Sequence, residues 1–189
     1  MRIIHTELDG CVMLEPQVFG DDRGWFFETF NSDKLSNAGL DLTFKQGNTS
    51  SSIRGTLRGL HYQWPRPQGK LVSVVAGEVF DVAVDIRRGS PSFGRWTGVV
   101  LSAENKRQFW IPAGFAHGFV ALSDVAVFTY LCTDTYQPQF DANIAWDDPS
   151  IGIEWPVDVA SVLLSSKDAA APLLSDIPED RLPVYGSVS

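Results

Sequence analysis

The chain has 189 residues, 44% of them hydrophobic, and a formal net charge of -8. This is enough apolar material for one domain with a buried core, and it excludes a disordered chain. The acidic balance excludes a general binder of nucleic acid or of anionic membranes, so any positive groups that meet an anionic ligand must be local and preorganised.

Residues 1–7 lack the apolar run of a signal peptide. No segment approaches the roughly 18 apolar residues of a membrane helix. Cys11 and Cys132 have neither metal nor redox spacing, so they read as free thiols of a reducing compartment. These features predict a cytoplasmic protein.

The first dense segment is residues 21–30. Strand alternation puts Arg23, Trp25, Phe27 and Thr29 on one face, and Gly24, Phe26, Glu28 and Phe30 on the other. Large aromatics on both faces need cover on both sides, from the chain itself or from a partner. Residues 31–39 predict a short helix with a polar N-cap, closed by Gly39. Residues 46–52 form a polar run that reads as a loop, or as a row of hydrogen-bonding groups for an oxygen-rich ligand.

Residues 54–63 place a guanidinium, a histidine, a phenol and an amide between two glycines and a proline-rich turn. Alternation predicts Arg58, Leu60 and Tyr62 on one face, with Leu57, Gly59, His61 and Gln63 on the other. Lys70 precedes the apolar strand 71–75, where a lysine is ordinarily solvated. Residues 79–86 alternate strictly, with Phe80, Val82, Val84 and Ile86 on one face. Gly77 and residues 88–91 punctuate this strand.

Short strands follow at 96–101, 108–111, 117–122 and 125–133, with turns at 112–114 and 123–124. Such a series predicts an all-β sandwich, jelly roll or barrel; a sandwich or jelly roll fits better than an open sheet, because so many strands carry an apolar face. Tyr130 falls on the face of Ala126, Phe128 and Cys132, as a core tyrosine with its hydroxyl at the rim does. Residues 165–171 predict one capped helical turn stopped by Pro172, in which Asp168 is ordinary first-turn chemistry. This turn lies in the tail beyond Trp155 and Pro156, whose last residues read as irregular.

Residues 112–119, which contain His117, resemble the second metal-binding motif of the cupin superfamily. Metal-binding cupins pair it with a His-x-His followed by a Glu. Here His61 is followed by Gln63, and no Glu comes soon after. A transition-metal site normally needs three or more good donors. The incomplete set predicts no metal, and it argues against a metal-dependent oxygenase.

Taken in order, several segments resemble the dTDP-4-dehydrorhamnose 3,5-epimerase family. They are residues 22–24 with Phe27 and Glu28, Gln46 with Asn48 and Ser50, and residues 55–63, 68–72, 77–85 and 101–105. Residues 110–119, 146–149 and 166–168 complete the set. The resemblance implies a cupin-type jelly roll with a few short peripheral helices, working as a homodimer on a dTDP-sugar without metal or organic cofactor. It implies His61 as general base, Asp168 as its orienting carboxylate, Tyr130 as the acid on the opposite face and Lys70 as the stabiliser of an enolate oxygen. Arg23 and Arg58 correspond to pyrophosphate and sugar contacts, with Glu28, Gln46, Asn48 and His117 around the nucleotide and sugar. Tyr136 falls near the thymine. A dimer in which the aromatic N-terminal strand adds to the partner's sheet would cover the apolar rings and bring Phe26 near the neighbouring chain's nucleotide pocket.

The expected organisation is one domain over 1–189. Residues 1–30 form an N-terminal strand region at the dimer interface, and about 157–189 form a C-terminal extension without an assigned role. Leu131 stands where many family members carry lysine, a departure that leaves the acid–base set intact. The implied reaction is inversion of C3 and C5 of dTDP-4-dehydro-6-deoxy-D-glucose to give dTDP-4-dehydro-L-rhamnose. The alternatives are inversion of one carbon only, or a non-catalytic sugar-binding cupin. No nucleic-acid or membrane partner is expected.

Overall fold

The structure is a computed structural model describing residues 1–187. Two antiparallel sheets pack face to face as a jelly roll. The six-stranded sheet runs β1 (Arg2–His5), β2 (Val12–Glu15), β10 (Gln108–Ile111), β7 (Lys70–Ala76), β12 (Val125–Cys132) and β5 (Gln46–Ile53). The five-stranded sheet runs β13 (Asp141–Asn143), β6 (Leu57–Gln63), β11 (Phe115–Ala121), β8 (Glu78–Asp85) and β9 (Trp96–Ser102). A separate hairpin joins β3 (Val18–Asp21) to β4 (Gly24–Phe27). Among the described residues, no helix is long and apolar enough to cross a membrane.

The predicted central strands form within a residue or two of their expected bounds. Alternation along β8 holds: Val82, Val84 and the adjoining Ile86 are buried on the outer face of the five-stranded sheet, while Val79 and Ala83 enter the core between the sheets. Phe109, Phe119 and Phe128 fill that inner core, and the Phe119 and Phe128 rings stack with centroids 4.4 Å apart. The expected short helix is α1 (Ser32–Asn37). Asn31 caps it by accepting from the Lys34 amide at 3.0 Å, and buried Leu35 seats it on the outer face of the six-stranded sheet.

The polar run over 46–52 is a strand, not a loop. β5 pairs with β12 along its whole length, from Gln46 opposite Cys132 to Ile53 opposite Val125. Ladder hydrogen bonds come from the backbone, so a Ser- and Thr-rich edge strand forms without an apolar pattern. The C-terminal extension also has a structural task. Trp155, Leu174 and Leu182 cover the outer face of the five-stranded sheet, against Leu57, Leu60 and Val84.

Strict alternation fails in β6. Leu57, Leu60 and Tyr62 share the outer face, whereas Arg58 reaches Ser52 of the other sheet and His61 and Gln63 line the inner cavity. The register explains the slip: Arg58 pairs with Phe119 and His61 with His117, so three steps on β6 oppose two on β11. This bulge re-aims the side chains that follow it. Gly59 makes it possible. Its φ is +131°, and a Cβ there would lie 2.5 Å from the Gly118 Cα. Arg58 and His61, expected on opposite faces, therefore point the same way.

Candidate active site

A cavity of about 310 Å³ opens at one end of the sandwich, lined by Gln46, Asn48, His61, Lys70, Tyr130 and Tyr136 among others. This volume suits a small polar ligand group. Strands from both sheets supply it: β5, β7 and β12 from one, β6 and β13 from the other.

His61 is half-buried at the wall. Its Nε2 lies 2.6 Å from Asp168 Oδ1. Asp168 is 4% exposed and sits on the single turn α2 (Ser166–Ala169). Burial pushes its carboxyl up, but hydrogen bonds from His61 and Ser165 outweigh that and hold it below the ordinary aspartate value. An ionised carboxylate only accepts, so Nε2 carries the proton and Nδ1 is left as the basic ring atom.

Lys70 and Tyr130 complete the chemical set. Among the described residues, the Lys70 ammonium has no carboxylate within ion-pair distance. Burial pulls its pKa below the usual lysine value, opposed by Cys132, Asp81 and Asp141. Burial raises the Tyr130 phenol, reinforced by Cys132 and opposed by Arg58. A phenol with a raised pKa stays protonated at neutral pH and has a proton to give.

The remaining candidates divide. Gln46 donates to Asn48 at 2.9 Å and accepts from the Tyr136 amide at 2.7 Å, which ties the cavity's polar wall together. The Tyr136 hydroxyl donates to Asp141 at 3.1 Å. Arg58 donates to Ser52 Oγ at 3.1 Å. His117 does not line the cavity: it is buried, and its Nε2 binds both Asp81 oxygens at 2.9 and 3.1 Å. Burial lowers its pKa, which favours the neutral ring. Arg23, Phe26 and Glu28 stand apart from the cavity. Arg23 pairs with Asp21 at 2.6 Å on the hairpin, Phe26 is 68% exposed beside it, and Glu28 binds Lys34 at 2.8 Å.

Several contributors had escaped sequence reasoning. Asp81 was traceable, because the alternation of β8 that sends Val82 outward sends this charged residue inward. Asp141 had no such mark; Ser165 was marked only as the start of a capped turn, and Gln63 only as the amide sharing a face with His61. Gln63 spends its amide on two loops, accepting from the Gln137 amide at 2.8 Å and donating to the Thr135 carbonyl in the 134–137 loop, and donating to the Arg66 carbonyl in the turn after its own strand. Among the described residues, no group of three or more His, Cys, Asp or Glu side chains is placed to hold a metal ion.

The family model for dTDP-4-dehydrorhamnose 3,5-epimerase matches residues 5–176. The dTDP-4-dehydrorhamnose 3,5-epimerase of Methanothermobacter thermautotrophicus is 55% identical over 168 residues, spanning 88% of this chain and 91% of that protein. The crystal structure of dTDP-6-deoxy-D-glucose-3,5-epimerase from Legionella pneumophila, in complex with dTDP-4-keto-L-rhamnose, superposes with a TM-score of 0.94 at 55% identity. It covers 97% of this chain and 98% of that one. A 3'-monoepimerase from Streptomyces bikiniensis, in complex with dTDP-quinovose, is more distant at 38% identity and a TM-score of 0.89, covering 95% of this chain and 92% of that one. The match over nearly the whole length, on a cupin-type jelly roll, makes this chain an enzyme of the dTDP-4-dehydrorhamnose 3,5-epimerase family.

Proposed function

We propose that the enzyme inverts C3 and C5 of dTDP-4-dehydro-6-deoxy-D-glucose to give dTDP-4-dehydro-L-rhamnose, a step of dTDP-L-rhamnose biosynthesis, by acid–base proton transfer alone. The observation that carries this reading is His61, held by Asp168 at 2.6 Å, facing one cavity with Lys70 and Tyr130. The C4 ketone acidifies the neighbouring C–H bonds. His61 Nδ1 takes the proton, and the C–H electrons move onto the ketone oxygen as an enolate. The Lys70 ammonium stabilises that oxygen, a charge present only as the reaction proceeds. Asp168 stabilises the imidazolium as it forms. Tyr130 returns a proton to the opposite face; the His61 imidazolium then gives its proton to solvent and solvent re-protonates the phenol, which resets both groups for the second carbon. The cycle consumes no cofactor.

Substrate binding follows the same reading. Gln46, Asn48 and Tyr136 contact the nucleotide side, and Arg58 meets the pyrophosphate with a guanidinium fork suited to it. Arg23 and Phe26 lie off the cavity of their own chain, so we assign them to a neighbour's. The exposed aromatics Phe19, Trp25 and Phe26 on the hairpin support a homodimer in which each site is completed by the other chain. We place this dimer in the cytoplasm, where the buried thiols of Cys11 and Cys132 stay reduced. Sedimentation at micromolar concentration tests the assembly: a fully active monomer of 20.8 kDa would overturn it.

The reaction is tested by NMR in deuterated water with the 4-keto sugar nucleotide as substrate. Deuterium at both C3 and C5 of an L-configured product is expected. Deuterium at one carbon alone would reduce the enzyme to a single-carbon epimerase, and none at either would make it a binding protein.

A further inference from the structure

We propose that Ser165 is a positioning residue of the acid–base centre, whose hydroxyl fixes the carboxylate of Asp168 so that one oxygen is committed to His61. The proposal rests on the reading of His61 as the base. Ser165 caps the four-residue turn α2, and its Oγ accepts from the Asp168 amide at 3.1 Å. Capping needs nothing more than that acceptor. The same hydroxyl also donates to Asp168 Oδ2 at 2.7 Å, while Oδ1 lies 2.6 Å from His61.

The terminal torsion of an aspartate is broad, so a carboxylate held at one oxygen can still swing. Held at both, it has one orientation. The turn itself is moored. Asn143 donates to the Lys167 carbonyl at 2.9 Å, and Asn143 sits directly opposite His61 in the β13–β6 register. The Lys167 ammonium pairs with Asp141 on the same strand. Ser165 therefore acts within a frame already fixed to the strand that carries the base. The charged groups around Asp168 are His61 from β6 and Lys167 from its own turn, the latter neutralised by Asp141.

The test compares Ser165→Ala and Ser165→Thr with the native enzyme. Ser165→Ala is expected to lower kcat about 10- to 100-fold, the scale of a misplaced catalytic group, with KM within about 2-fold because Ser165 does not line the cavity. Asp168 loses one of the two hydrogen-bond donors that hold its carboxyl down, so the carboxyl titrates at higher pH than in the native enzyme. The carboxyl titration is read directly by carbon-13 NMR. Ser165→Thr keeps the hydroxyl and is expected to restore both readouts. The NMR titration needs no turnover, so it stands even if His61 proves not to be the base. A near-native kcat in Ser165→Ala, an unmoved Asp168 titration, or failure of threonine to restore activity would each overturn the proposal.

Discussion

Replacing Asp168 with asparagine removes one charge and keeps nearly the same shape. The native contact is a charge-assisted hydrogen bond of 2.6 Å between His61 Nε2 and a 4%-exposed carboxylate. Such bonds contribute about 1.5–3 kcal/mol, and the imidazolium formed during catalysis would lose that much support. At about 1.4 kcal/mol per decade this is roughly a 10- to 150-fold loss in kcat. A second effect adds to it. An asparagine amide can donate to Nε2, which forces the ring proton onto Nδ1 and leaves no basic nitrogen toward the substrate. The same exchange in hydrolase triads costs about 10⁴-fold. We therefore expect a loss between about 10² and 10⁴-fold, with KM little changed because Asp168 does not line the cavity. Steady-state kinetics on the 4-keto sugar nucleotide, with melting temperature as a folding control, measures it. A well-folded variant with kcat within about 5-fold of native would refute the dyad.

Three further predictions follow from the cavity. Tyr130→Phe should retain proton abstraction and lose completed inversion, seen as deuterium exchange outpacing product formation; native product yield would make Tyr130 a core residue only. Lys70→Met should slow exchange at both carbons by about 10²–10³-fold, the usual cost of removing an oxyanion donor, and unchanged exchange would assign the enolate to another group. Dialysis against a strong chelator should leave the rate unchanged, since His61 and His117 are each engaged by an aspartate; loss on chelation that one specific ion restores would revive the metal-dependent reading.

The central strands were legible because β8 and β12 obey simple alternation between turns. The polar strand β5 was not, since its ladder depends on backbone groups and its side chains carry no apolar period. The geometry of β6 was hidden for a different reason. The bulge opposite Gly118 reverses the alternation after Gly59, and nothing local in the sequence marks which glycine permits it. Lys70 and Tyr130 read as ordinary strand residues, and only the family resemblance singled them out. Asp168 gained its meaning from folding: His61 lies 107 positions away, a distance no motif spans. The C-terminal cover of Trp155, Leu174 and Leu182 is apolar but irregularly spaced, so periodicity could not reveal it.

The central claim is that one imidazole, His61, takes the proton from both carbons. The most direct measurement is deuterium incorporation by His61→Asn, followed at C3 and C5 by NMR, with nucleotide affinity measured on the same preparation by calorimetry. Loss of exchange at both carbons with near-native dTDP binding is predicted. Continued exchange at either carbon at close to the native rate would contradict the account.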